Sequence, residues 1–157
     1  MSGSARRPAV RDRRRIELVD GTLPSQPYHA VAEQGMPRTV IGQVERAARR
    51  ATGRCLAGLA GTAAVGLIAP DRLIPDDLDH VLRVHAYLHA AEGRLYEQAV
   101  IEAAGDLGLP VHVVAPTAVA ISAELEGLRA TIGPPWRKDH KWAAASALAA
   151  LAAARRA

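Results

Sequence analysis

Two histidines, a glutamate and a tyrosine recur in HAYLHAAEGRLY, residues 85–96, as His85, His89, Glu92 and Tyr96. Spacings of four, three and four bring them onto successive turns of one helix face. Histidines at i and i+4 can share a metal ion, and Glu92 follows three residues further along the same side. The segment lacks the HExxH form, so any further ligand must come from elsewhere, with His29, Glu33, Asp139 and His140 as the candidates. The same groups could instead supply general acid and base catalysis, with Glu92 tuning a histidine. The alternative without chemistry is a satisfied internal hydrogen-bond network.

At about 100° per residue, Leu78, Val81, Leu82, Leu88, Leu95, Ala99, Val100 and Ala103 share the arc that holds these four polar residues. Arg83, Tyr87, Ala90, Arg94 and Glu97 project from the opposite side. The polar four therefore point into the core or into a cleft beside it. Burying them is costly unless they are paired, and leucines there would pack better, so a functional cleft is expected.

A second cluster, PWRKDHKW, crowds Trp136, Arg137, Lys138, Asp139, His140, Lys141 and Trp142 into a helix start. Indole faces can stack on bases and the cations can engage phosphates, whereas Asp139 could simply cap the helix. Tyr28, His29 and Glu33 share a third polar stretch, QPYHAVAE.

The elements that must position these groups follow from patterning. Three prolines in LPSQPYHAVAEQGMP argue for a loop, with at most a short strand around YHAVA. RIELVDGT reads as a strand ending in an Asp-Gly turn. A helix is expected over 38–59, buried strands over 62–70 and 109–116, and one helix over 76–104. Another follows over 117–132, capped by Thr117, and an Ala-rich helix closes the chain. Strands alternating with helices imply an α/β domain with a small, mostly parallel sheet flanked by helices.

Composition narrows the class. The 157 residues suffice for one domain, residues 16–157, and 49% are hydrophobic while only 3% are aromatic, so the core is aliphatic. Lone Cys55 cannot form an intramolecular disulfide, which suits a cytoplasmic protein. No apolar run is long enough for a membrane span. Residues 1–15 carry six arginines against one aspartate, a net +5, while the whole chain is +4. The basicity therefore belongs to an arm, expected to be disordered and to bind nucleic-acid phosphates or act as a solubilising leader. A homodimer is an open alternative for assembly.

EGRLYEQAVIEAAGDLGLPVHVVAPTAV, residues 92–119, resembles the helix, strand and Pro-x-x-Val turn of RuvC-type resolvases, members of the ribonuclease H-like superfamily. RIELVDGT is similar to their first strand and KDHKWAAASALAALA to their last helix. The resemblance implies a nuclease with two magnesium or manganese ions on carboxylates, Asp20 and Asp139 being the first and last, cutting a phosphodiester by in-line attack of water. Against that pattern, AVGLIAP lacks the usual acid and Lys141 stands where a further acid is common. The leading expectation is thus a metal-dependent nuclease. Its catalytic candidates are Glu92, His85, His89, Asp139 and Asp20, and its substrate-binding candidates Tyr96, Trp136, Arg137, Lys138, Lys141 and His29. A non-catalytic nucleic-acid-binding or accessory subunit and a small metal-dependent enzyme using His85, His89 and Glu92 on a small molecule, with zinc as an alternative ion, are the other readings.

Overall fold

The computed structural model describes residues 9–156; Arg6 and Arg7 of the arm lie outside that range. The order is α1 (Pro27–Gln34), α2 (Thr39–Ala57), β1 (Val65–Ile68), α3 (Leu78–Arg83), α4 (His85–Asp106), β2 (Val111–Val114), α5 (Ala123–Gly127), α6 (Arg129–Ile132) and α7 (Lys138–Ala154). The molecule is mixed α/β, and β1 and β2 pair in parallel, with Val65 opposite Val111 and Ile68 opposite Val114. No helix among the described residues is long and apolar enough to cross a membrane.

Four expectations need correction. Residues 16–19 form no strand, so the acid-bearing first strand of the resolvase pattern is missing from this stretch. The loop expected over 23–37 contains α1 instead. Pro27 occupies its first turn, and Gly35, at φ 70°, ends it in the left-handed region, the Pro-first, Gly-last arrangement natural to helices. The helix expected over 76–104 is broken at Val84, whose extended backbone (φ −119°, ψ 109°) separates α3 from α4. The helix expected over 117–132 starts later: residues 116–118 form a 3₁₀ turn, and Ser122 rather than Thr117 caps α5 by accepting from Leu125 N–H.

The core is aliphatic. Ile41 and Val44 of α2 meet Leu95 of α4, with Val19, Leu23, Tyr28, Val31, Leu78 and Tyr96 packed around them. Arg49 fastens the far ends of α2 and α4 through Glu102 at 2.9 Å and Asp106 at 2.6 Å. Arg72, in the loop after β1, pairs with Glu97 and lies against Gly93, so the same α4 is held from both sides. On the sheet, α7 comes so close to β1 that a Cβ on Gly66 would stand 2.1 Å from the Ser146 carbonyl oxygen. α1, packed on α2, α3 and α4, is the element that positions the site.

Candidate functional site

α1 delivers His29 to the start of α4, where His85 and His89 stand one turn apart. His85 is the first residue of α4, directly after the Val84 break. Ring nitrogens from the three histidines lie within 4.8 Å of one another. His85 Nε2 and His89 Nε2 are 3.1 Å apart, close to the roughly 3.4 Å separating two imidazole nitrogens on one tetrahedral zinc with bonds of about 2.0–2.1 Å. The ring of His29 is 5.0 Å from that of His85 and 4.5 Å from that of His89, centroid to centroid.

The three histidines differ in exposure. His29 is buried, whereas His85 and His89 are exposed. Glu92, one turn beyond His89, is buried beneath them with only 8% of its side chain accessible. Its Oε1 accepts from His29 Nδ1 at 2.8 Å and from the His29 backbone N–H at 3.2 Å. A carboxylate can only accept, so Nδ1 carries the hydrogen, and in the neutral ring Nε2 then offers its lone pair. That Nε2 is buried without a hydrogen-bond partner among the described residues. Glu33, four residues after His29 on α1, places Oε1 3.4 Å from His85 Nδ1. Carboxylates thus stand behind two of the three rings, the arrangement that orients metal-bound imidazoles in known centres.

Tyr96 lies one turn below Glu92 and donates its hydroxyl to the Ser25 carbonyl at 2.6 Å. This tethers the segment leading into α1 to α4. Burial, and then the nearby Glu92 charge, raises the Tyr96 pKa, so the hydroxyl keeps its hydrogen. Tyr28 is raised as well, by burial first and then by Glu45.

The remaining candidates sit elsewhere. Asp20 lines a cavity with Arg50 and Arg54 and is engaged by Thr22, whose hydroxyl and N–H bonds hold its carboxyl below the usual range. Asp139 lines a different groove, so the structure does not bring together the two carboxylates of the magnesium scheme. Nor does Asp139 cap α7. Arg137 is the cap position, and its backbone N–H donates to His140 Nδ1 at 3.1 Å. Trp136 is buried, its indole N–H donating to the Leu125 carbonyl at 2.9 Å. Lys138 lies over the Trp142 ring, 4.4 Å from its centroid, and Lys141 pairs with Glu126 at 2.7 Å.

Sequence reasoning placed His29 and Glu33 in a loop and missed the Ser25 tether. The signal for α1 was present in Pro27 and Gly35. Nothing comparable announces a backbone acceptor such as Ser25.

Fold and site together define a small α/β protein carrying a trio of histidines backed by carboxylates. Compared with protein-family models, curated proteins and solved structures, the chain matches none.

Proposed function

We propose that the protein is a metal-dependent hydrolase built on His29, His85 and His89, with Glu92 orienting His29. The observation that carries this reading is the buried, unpartnered His29 Nε2. A buried polar atom without a partner costs about 1–3 kcal/mol, and a core position would avoid that cost with an apolar residue. A metal ion shared with the two exposed histidines satisfies it.

The ligand chemistry selects the ion. Three imidazoles and no thiolate suit zinc, or cobalt and nickel in its place, whereas magnesium and manganese favour carboxylate and water oxygens. Three protein ligands on zinc would leave a fourth position for water or substrate, and His85 and His89 are exposed to solvent. Such a centre can lower the pKa of water and polarise a carbonyl or phosphoryl oxygen. Kinship with ribonuclease H-like nucleases would rest on α4, β2 and α7. Without a strand beneath Asp20, no chemistry is assigned to it.

Hydrolysis of 4-nitrophenyl acetate and bis(4-nitrophenyl) phosphate tests the reading. Activity should appear with zinc or cobalt, stay absent with magnesium, and vanish in His29→Ala. Equal rates in His29→Ala and wild type would refute it.

A further inference from the structure

Within residues 9–15, Arg13 fastens the arginine arm to the body. Residues 9–15 carry no helix or strand and run along α5 and α7, forming one wall of a groove of about 890 Å³. Arg13 grips the loop before α7, its two terminal nitrogens each donating at 2.7 Å to the carbonyls of Gly133 and Pro134. Arg14 turns back onto Asp12. Among the described residues Arg15 has a loose pairing with Glu17, at 3.5 Å, and its side chain is 91% exposed. Arg11 and Arg137 line the groove and are exposed.

We propose that residues 9–15, anchored by Arg13 and joined by Arg137, form a clamp for the phosphate backbone of a nucleic-acid duplex. Three observations choose this occupant. First, the cations are all arginines, whose planar forks match phosphate oxygens in pairs. Second, the segment is neither helical nor lined with large apolar residues, unlike the amphipathic helices that lie on membranes. Third, single strands are held by bases stacked on free aromatic faces. Here Trp136 is buried, and Trp142 is half-buried with Lys138 over its ring. Asp12, Glu124 and Asp139 also line the groove; their repulsion confines phosphates to the arginine rim. The clamp reads charge and spacing rather than sequence.

The anchor makes a sharp distinction among the arginines. Those that meet phosphates release counterions, so each steepens the dependence of log K on log salt by about 0.9. Arg13 is committed to two carbonyls and contributes nothing to that slope. It contributes order, because a loosened arm must be immobilised again on binding, at about 0.5–1.5 kcal/mol for each long side chain.

Fluorescence anisotropy of a labelled 20-base-pair DNA duplex, over a salt series with the full-length protein, tests this. Arg11→Ala, Arg15→Ala and Arg137→Ala should each flatten the slope by about 0.9. Arg13→Ala should leave the slope unchanged and weaken binding roughly 2- to 10-fold at every salt concentration, the factor equivalent to that ordering cost. Arg13→Lys should fail to restore affinity, because an ammonium group cannot bridge two carbonyls as a fork does. Rescue by Lys, or a flattened slope in Arg13→Ala, would make Arg13 a phosphate contact and overturn the anchor. No duplex binding, tighter binding of oligo(dT), or binding of phosphatidylserine vesicles alone would overturn the clamp. Thermal melting of each variant checks that the fold survives. None of these outcomes depends on a metal, so the clamp and the histidine centre stand or fall separately.

Discussion

Among the described residues, Glu92 is one of four buried polar or charged residues, and its burial is tolerable because His29 gives it two hydrogen bonds. Hydrogen bonds to a charged group contribute about 1.5–3 kcal/mol. Glu92→Gln keeps the shape and removes the charge, so chemical denaturation should show a loss of about 1–3 kcal/mol. Isothermal titration with zinc should show a 10- to 100-fold weaker site, the usual effect of losing a ligand's orienting partner. A variant as stable as wild type and as tight for zinc would mean that Glu92 orients nothing. The tyrosines give a pH signature. Raised folded-state pKa values at Tyr28 and Tyr96 mean that the folded protein holds those protons longer than the unfolded chain. Their contribution is complete below the ordinary tyrosine value of about 10 and is lost as pH rises through the folded values. Tyr96→Phe should therefore flatten the alkaline decline in stability while losing the Ser25 tether. An unchanged alkaline limb would remove Tyr96 from it.

Among the elements, the spacing of His85, His89 and Glu92 was legible because helical periodicity alone sets it. What periodicity could not show was the Val84 break, which makes His85 the first residue of a new helix. Nor could it show that α1 crosses that point, since three prolines between 23 and 37 outweighed the short helix they bracket. The two strands were legible as apolar runs closed by Pro70 and Pro116, whereas residues 16–19 read as strand yet pair with nothing among the described residues. Gly66 gives the element-scale prediction. An added methyl group meets the Ser146 backbone, which cannot move like a flexible side chain. Gly66→Ala should cost about 1–3 kcal/mol by denaturant unfolding, and a neutral result would contradict the close packing of α7 on β1. At the other end, the Arg49 hydrogen bond holds the Asp106 carboxyl below its ordinary value. That contribution is present above the unfolded carboxylate pKa and disappears as pH falls through the lower folded value. Arg49→Ala should shrink the acid-side loss of stability, by a surface-pair amount.

At the scale of the molecule, a metal at His29, His85 and His89 would join α1 to α4 beside the aliphatic core, where Tyr28 and Val31 pack against Ile41, Val44 and Leu95. Binding to the folded state alone stabilises by about 2.7 kcal/mol when the ion is at 100 times its Kd. For a chain of this length that is roughly a 5–10 °C rise in Tm. The most direct test is a cobalt titration of the full-length protein, followed by absorption in the visible d–d region and competed with zinc. The proposed centre predicts one equivalent bound with a tetrahedral-type spectrum, displaced by zinc and lost in His29→Ala, His85→Ala and His89→Ala alike. Binding that survives His29→Ala, or no saturable binding in the wild type, would contradict the three-histidine centre.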